Sequence, residues 1–416
     1  MTARAGNRSL SWLLLLTLAA QGTAQADEAA PPGQTNPASR PAVQFDLAPL
    51  HKIPDVYPAD EPQVAGLRSL YYRGLDYREH ETRVFTFYGT PANPTEKKLP
   101  AIVLVHGGGG SAFAEWVQLW NARGYAAIAM DLCGCVPIGT HGHWQHHDLA
   151  GPPGWDASFE QLADPIHEQW TYQAVSAVVL AHTLIRSFPE VDAERVGVTG
   201  VSWGGYLTSI VSGVDDRFRF AAPVYGCGFL GDNSVWLPQL EKLGREQARL
   251  WLDRWDPSVY LPGAKMPMLW INGTNDFAYP MDSWQKSYLL PTGPRTLSLR
   301  VRMPHGAPAG QAPEEIRVLA ESLFRHGKPL PRIVDQGITD NTAWATFESA
   351  EPVVRAELLY TADTGKWQER KWEQAPAEID QAATRVSAPI PASAKVFYLN
   401  LIDDRDCIVS TRHVER

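Results

Sequence analysis

One serine of the 416-residue chain lies in a setting that could make it a nucleophile. Residues 200–204 read Gly-Val-Ser-Trp-Gly, a G-x-S-x-G pentapeptide followed by Gly205. The pentapeptide comes directly after Arg195–Thr199, which predicts a strand, and before Tyr206–Gly213, which predicts a helix. A strand–turn–helix of this kind puts the serine on a sharp turn whose neighbours must be small. The pattern therefore predicts a nucleophilic Ser202; the alternative is a buried serine in an ordinary tight turn.

An acid and a histidine follow the serine, each at the end of a predicted strand. Asp276 comes after Met268–Asn272, and His305 comes after Thr296–Arg302. Because sites in open parallel sheets gather at the carboxyl ends of the strands, we expect the three side chains to meet there. His305 would take the serine proton, and Asp276 would fix the imidazole tautomer and stabilise its charged form. A turn-forming role is the alternative for Asp276, and Asp282 is the nearest rival acid.

A glycine run predicts the remaining part of a catalytic site. Residues 106–110 read His-Gly-Gly-Gly-Gly and follow the apolar strand Ala101–Val105. Such a loop lets backbone N–H groups approach a developing oxyanion, which needs two donors. We expect one donor to be the N–H of Trp203 and the other to come from Gly107 or Gly108. The histidine at the start of the run is expected to orient the loop.

The elements that must position these residues alternate between strand and helix. Besides the segments above, strands are predicted at Leu67–Tyr72, Val84–Tyr88, Tyr125–Leu132 and Phe220–Tyr225, and helices at Glu168–Phe188 and Glu314–His326. This alternation predicts an α/β fold, a mostly parallel sheet flanked by helices with right-handed crossovers.

The pattern changes after Pro329, where short strand-like segments separated by turn residues replace the alternation. They are Trp344–Phe347, Val353–Tyr360, Lys366–Trp372, Thr384–Ala388 and Lys395–Leu401. We therefore expect a catalytic domain over 61–330 and a small antiparallel β-sandwich over 331–416. The second domain could bind carbohydrate, although a packing role is the preferred interpretation.

Residues from about 60 to 330 resemble the α/β-hydrolase superfamily. The motifs that carry the resemblance are those around His106, Ser202, Asp276 and His305, in the order serine, acid, histidine that the superfamily uses. The branch they resemble holds prolyl-oligopeptidase-like catalytic domains, dienelactone hydrolases and acetyl xylan esterases. The resemblance implies an α/β-hydrolase fold and acyl transfer through an acyl-enzyme, without a metal or other cofactor.

Departures from that branch favour ester over peptide substrates. Prolyl oligopeptidases gate the site with a β-propeller, and only about 70 residues separate the predicted signal from the hydrolase core here. Dienelactone hydrolases normally use cysteine where this chain has Ser202. We expect a serine esterase acting on a small-molecule or oligosaccharide ester, as acetyl xylan esterases do. A peptidase for short peptides is the alternative, and a non-catalytic binding protein on the same scaffold is a third hypothesis.

The N-terminus and the overall charge suggest where the protein works. Residues 1–26 carry a basic start, the apolar stretch Leu10–Ala20 and an Ala-Gln-Ala end, which predict a signal peptide cleaved before Asp27. An uncleaved anchor is the alternative. Residues 27–60, rich in proline and alanine, predict a linker or an arm. A periplasmic or secreted protein without a stable membrane span is expected. Its net charge of −9 argues against nucleic-acid binding by charge.

Three weaker features leave alternatives open. Four cysteines allow three pairings, and we mildly prefer a bridge from Cys133 or Cys135 to Cys227, a metal site being the alternative. The histidines at 141, 143, 146 and 147 indicate a lid or pocket loop, or else a metal site. Fifteen tryptophans fit either core packing or stacking against sugars.

Overall fold

The computed structural model describes residues 42–416, so the predicted signal peptide and residues 27–41 of the predicted arm lie outside the described residues. The helices are α1 (Leu47–Leu50), α2 (Ala114–Ala122), α3 (Trp170–Ser187), α4 (Trp203–Val214), α5 (Leu237–Leu243), α6 (Arg245–Trp255), α7 (Met281–Tyr288), α8 (Ala307–Gln311) and α9 (Glu314–Phe324). No helix between residues 42 and 416 is both long and apolar enough to cross a bilayer.

The strands fall into an N-terminal set and a C-terminal set. The first set is β1 (Val56–Pro58), β2 (Leu67–Arg73), β3 (Arg83–Gly89), β4 (Leu99–Val105), β5 (Ala126–Met130), β6 (Cys135–Thr140), β7 (His143–His146), β8 (Val191–Val201), β9 (Ala221–Val224), β10 (Met268–Gly273) and β11 (Arg295–Arg300). The second set is β12 (Arg332–Thr339), β13 (Thr342–Glu348), β14 (Val353–Thr361), β15 (Glu373–Pro376), β16 (Glu378–Asp380), β17 (Arg385–Pro389), β18 (Val396–Asp403), β19 (Ile408–Ser410) and β20 (Val414–Glu415).

The main sheet carries the predicted chemistry. Its strand order is β1-β2-β3-β5-β4-β8-β9-β10-β11. Six neighbouring strands of this order run parallel: β5, β4, β8, β9, β10 and β11. Every residue of β4, β5, β9 and β10 is buried, as strands covered on both faces require. The α/β fold class is therefore confirmed, with a mostly parallel central sheet.

Helix α3 shows how an apolar stripe builds this core. The 3.6-residue periodicity predicted a helix over Glu168–Phe188, and the structure has it over Trp170–Ser187. Val175, Val178 and Ile185 are fully buried within it. The helix also packs against the segment that precedes α1. The ring of Phe45 stacks on that of Tyr172, with the ring centroids 4.6 Å apart.

The C-terminal region consists of antiparallel sheets, as predicted. One sheet has the order β12-β13-β17-β16 and the other β15-β14-β18-β19, with β20 also paired to β18. Alternating apolar residues from both sheets, including Ala345, Leu358, Val386 and Leu401, form a core of their own. The domain boundary at residue 330 remains a prediction, since residues 42–416 belong to a single compact unit.

One predicted strand is wrong, and the error bears on function. Residues 366–372 were expected to be extended, but Trp367–Glu369 forms a 3₁₀ turn and the strand begins only at Glu373. The carbonyls of Trp367 and Arg370 accept hydrogen bonds from the side chain of Asn275, far away in the sequence. A long-range contact therefore overrides the local strand pattern.

The preferred disulfide is also a wrong prediction, because all four cysteines are free. The carboxylate of Asp131 accepts bonds from the backbone N–H groups of both Cys133 and Cys135, which shapes their turn. The Cys135 sulfur lies 3.7 Å from the ring nitrogens of His146. Cys227 is completely buried. Burial raises the pKa of Cys135 to about 12, so this thiol stays protonated at neutral pH.

Candidate active site

Ser202 occupies the sharp turn that its neighbours predicted. It lies between the end of β8 and the start of α4, with φ of 60° and ψ of −120°. A Cβ atom at Gly200 would lie 2.2 Å from the Gly204 carbonyl oxygen, and one at Gly204 would lie 2.0 Å from the Val105 oxygen. The glycines thus let strand and helix approach closely enough to impose the strained serine conformation.

The structure brings Ser202, Asp276 and His305 into one hydrogen-bonded chain. The His305 Nε2 atom lies 2.8 Å from Ser202 Oγ, and its Nδ1 atom lies 2.6 Å from Asp276 Oδ2. The three residues follow β8, β10 and β11, at the carboxyl ends of parallel strands. With Nδ1 protonated toward the carboxylate, Nε2 is the acceptor that a proton-abstracting base requires.

Asp276 is held in place by its own loop. Its second oxygen, Oδ1, accepts bonds from the N–H groups of Ala278 at 2.9 Å and Tyr279 at 2.8 Å. The side chain is completely buried, so the charge is stabilised by these donors and by His305. The rival Asp282 instead lies on α7, where its oxygens accept bonds from the Asn233 amide.

Aromatic rings hold the imidazole in its position. The ring of Tyr225 stacks on that of His305 with centroids 4.6 Å apart, and Phe277 meets it at the same distance in a tilted geometry. The Tyr225 hydroxyl donates to the Pro304 carbonyl at 2.7 Å, which ties this ring to the histidine loop. Phe277 is 52% exposed, a large apolar surface beside the reacting groups.

The proposed oxyanion donors lie around the serine. Trp203 is the first residue of α4, and the N–H at a helix start has no acceptor within the helix. A Cβ atom on Gly107 would lie 3.0 Å from Ser202 Cβ, so this loop touches the nucleophile. One on Gly108 would lie within 3 Å of the Trp155 and Trp203 rings. Their role as an oxyanion hole remains a prediction.

His106 fixes the glycine loop from inside. Its Nε2 atom accepts a bond from the Leu132 N–H at 2.9 Å, so the proton resides on Nδ1, which donates to the Gly107 carbonyl at 2.7 Å. Burial lowers the pKa of His106 and keeps the ring neutral. The same Gly107 carbonyl accepts from the Gly110 N–H, closing a tight turn.

The histidine-rich segment holds the loop from outside. It forms the hairpin of β6 and β7, and within it the N–H of Gly142 and the indole Nε1 of Trp144 each donate to the Gly109 carbonyl at 2.8 Å. The hairpin therefore contacts the glycine loop. Across residues 42–416, no group of three or more histidine, cysteine or acidic side chains is arranged to hold a metal ion.

Most of the fifteen tryptophans are buried in the core. Trp116, Trp120 and Trp284 are at most 1% exposed. Trp144 and Trp155 are half-buried and lie beside the glycine loop, where they could contact a substrate.

Sequence reasoning missed one wall of the site. The side-chain amide of Asn275 donates to the carbonyls of Trp367, Gln368 and Arg370, at 3.3, 3.1 and 2.8 Å. Gln368 donates in return to the Phe277 carbonyl. The segment 367–370, hereafter the C-terminal loop, is therefore attached to the loop that carries Asp276. The sequence does show an asparagine beside Asp276, but it does not indicate which backbone groups the asparagine side chain contacts.

Solved structures of esterases share this architecture. An acetyl xylan esterase from Paenibacillus sp. R4 has a TM-score of 0.55 and 21% identity, over 71% of this chain and 100% of that one. Acetyl Xylan Esterase 1 from Thermoanaerobacterium sp. JW/SL YS485 has a TM-score of 0.52 and 18% identity, over 70% and 96%. With the strand order above, this likeness shows that the chain has the α/β-hydrolase fold.

Sequence comparison adds a family profile and several curated relatives to these structural likenesses. The profile of the acetyl xylan esterase (AXE1) family matches residues 58–237. The uncharacterized peptidase YuxL of Bacillus subtilis is 27% identical over 210 residues, which are 47% of this chain and 28% of that protein. The chain spans less than a third of the length of the curated relatives it matches. The family profile and these relatives are those of hydrolases.

Proposed function

We propose that the protein hydrolyses carboxylic esters through an acyl-enzyme on Ser202 and that its natural substrate is an acylated sugar. The observation that carries the proposal is the unbroken chain from Ser202 Oγ through His305 to Asp276. The likeness to acetyl xylan esterases supports a sugar acetate as the substrate class.

The geometry allows the reaction to be followed atom by atom. Ser202 Oγ attacks the acyl carbon while its proton moves to His305 Nε2, and the carbonyl oxygen becomes an oxyanion that the N–H groups of Trp203 and Gly107 or Gly108 would stabilise. His305 then gives the proton to the departing alkoxide. Water, deprotonated by the same nitrogen, attacks the acyl-enzyme and releases the acid and the free serine.

A peptidase is the second candidate, because several curated relatives are named as peptidases. Cleaving an amide requires the scissile nitrogen to be aligned for protonation by His305, whereas an ester's alkoxide departs with less assistance. The ester reaction therefore demands less substrate positioning from the site.

The deciding measurement compares kcat/KM for 4-nitrophenyl acetate and acetylated sugars with kcat/KM for dipeptidyl and prolyl anilides. We expect the esters to be preferred. An anilide preferred by tenfold or more would contradict the esterase proposal and favour the peptidase.

We further propose that the protein is exported to the periplasm or secreted, on the strength of the signal-like residues 1–26. N-terminal sequencing of protein recovered from outside the cytoplasm should begin at Asp27. A mature protein that retains Met1 would contradict the cleavage.

A further inference from the structure

A cleft opens on the His305 side of the triad, between the hydrolase loops and the C-terminal loop. Its volume is about 310 Å³. The side chains relevant to binding are Phe277, Arg302, His305, Gln368, Glu369 and Arg370. His305 lines this cleft, and in the proposed reaction it returns a proton to the departing alkoxide, so the cleft adjoins the leaving-group side of the triad.

The walls of the cleft are fixed to the catalytic acid. The three bonds from Asn275 and the bond from Gln368 to the Phe277 carbonyl join the C-terminal loop to residues on either side of Asp276. A ligand in the cleft would therefore contact a surface positioned relative to the triad, as a binding subsite requires.

Two arginines line the cleft beside two carboxylates, of which only Glu369 is exposed. Arg302 is exposed, and within the described residues its guanidinium takes part in no ion pair. Arg370 is only 8% exposed; it stacks on Trp367 at 3.5 Å, and its Nη1 atom is buried without a hydrogen-bond partner among residues 42–416. Of the two acids that line the cleft, only Glu369 is exposed. The other, Asp276, is buried and already engaged by its hydrogen-bond donors.

The acids that act electrostatically on Arg370 also have other partners. Asp363 accepts a bond from the Lys371 N–H, Asp282 accepts from Asn233, and Glu415 lies 3.7 Å from the His413 ring. Arginine binds carboxylates through a planar fork of donors, and here an exposed aromatic ring, Phe277, lies in the same cleft. The combination suits a ring that carries an acidic group.

We propose that this cleft is the leaving-group subsite and that it selects sugar esters whose alcohol half carries a carboxylate, as a uronic acid does. The proposal rests on the esterase function and adds the chemistry of the leaving half. Phe277 would pack against the sugar face, and Arg302 would bind the carboxylate.

The test uses two substrates that differ only at the sugar C6 position: an acetylated methyl glucuronoside and the matching acetylated methyl glucoside. The wild-type protein should have a kcat/KM about fivefold higher for the acidic substrate at low salt, as one solvent-facing charged contact allows. Added salt should reduce that preference. In Arg302→Gln the preference should fall to near one.

Arg78→Gln is the matched control. Arg78 is also an exposed arginine with φ of 49°, the same backbone conformation as Arg302, and it lies outside the cleft. It should retain the full preference. Equal kcat/KM for the two substrates in the wild type, or a preference that survives in Arg302→Gln, would overturn the proposal.

Two further measurements separate the possible failures. Hydrolysis of 4-nitrophenyl acetate tests the esterase function by itself. Saturation-transfer NMR on the Ser202→Ala protein should show methyl glucuronoside bound more strongly than methyl glucoside, without any turnover; equal signals would contradict the subsite. Peptides with a free carboxyl terminus are the competing ligands. If they are preferred over the uronate, and if that preference depends on Arg302, the cleft belongs to a peptide and the sugar proposal is overturned.

Discussion

Ser202, His305 and Asp276 are ordinary side chains whose surroundings would make them reactive in the proposed reaction. The serine is held at φ of 60°, the imidazole lies between aromatic rings, and the carboxylate has no exposed surface. Each constraint removes conformations in which the proton could not pass from Ser202 Oγ to His305 Nε2.

Changing Asp276 to asparagine tests the role of the acid. The amide would leave the fold intact, but it can favour the wrong His305 tautomer and cannot stabilise the imidazolium. We expect kcat for ester hydrolysis to fall by about 10⁴, as in a comparable triad. Asp282→Asn is the control and should remain close to wild type in kcat. If Asp282→Asn is the damaging change, the acid has been misassigned.

The sequence predicted the triad residues because each follows a strand in a recognisable order. It could not identify Asn275 or Phe277 as parts of the site. Their contacts reach a segment more than 90 residues away for Asn275 and a histidine on another loop for Phe277. Contacts of that kind depend on tertiary packing, which periodicity and spacing do not report.

At the scale of elements, the hairpin of β6 and β7 buttresses the glycine loop. The Gly109 carbonyl receives two bonds from the hairpin, and His106 holds the other side of the turn. The sequence indicated a pocket loop here but not the bond that links Trp144 to the loop, since a tryptophan in such a segment equally suits a core position.

Trp144→Phe should loosen the glycine loop while keeping most of the ring packing. Losing one neutral hydrogen bond costs about 0.5–1.5 kcal/mol, so we expect kcat to fall by up to about tenfold with little change in KM. Trp344→Phe loses a comparable indole bond, to Thr339 in the C-terminal sheet, and should not change kcat. A rise in KM at constant kcat would instead assign Trp144 to substrate binding.

Chelation tests the other interpretation of the histidine-rich hairpin. The triad and the oxyanion donors supply a nucleophile and charge stabilisation without a Lewis acid. Ester hydrolysis should therefore persist after extended dialysis against EDTA. Activity that disappears and returns only with zinc would make His141, His143, His146 and His147 candidate ligands.

At the scale of the whole molecule, the C-terminal region covers one edge of the main sheet, and its C-terminal loop lines the cleft. Strand β11 is the last strand of that sheet, and an open edge would expose its backbone. The N–H of Leu299 instead donates to Ser410 Oγ at 2.8 Å, and the Leu299 carbonyl accepts from the Asn400 amide at 3.1 Å. The packing role that the sequence favoured for this region fits these contacts.

Asn400→Ala should measure how much this junction stabilises the fold. The change leaves the buried Leu299 carbonyl and Ser410 hydroxyl without their Asn400 partner. We expect the free energy of unfolding to fall by about 1–3 kcal/mol, seen as a lower urea midpoint. Asn93→Ala, on an exposed turn, is the control. An unchanged midpoint in Asn400→Ala would mean that the junction adds little stability.

The sequence predicted the α/β fold and the C-terminal strands β13, β14, β17 and β18 because their periodicity reflects burial on one or two faces. It missed β12, β15, β16, β19 and β20, and it placed a strand where the C-terminal loop turns. Strand β12 is largely exposed, so it has no regular apolar alternation to find. The turn at Trp367 is fixed by Asn275, whose amide partners the local sequence does not reveal.

The central claim is that Ser202 is the nucleophile of a serine hydrolase. The most direct measurement treats the intact protein with a fluorophosphonate, followed by peptide mass spectrometry and an assay on 4-nitrophenyl acetate. We expect a single adduct on Ser202, loss of activity in step with labelling, and neither labelling nor hydrolysis in a folded Ser202→Ala protein. An adduct on a different serine, or activity retained by Ser202→Ala, would contradict the account.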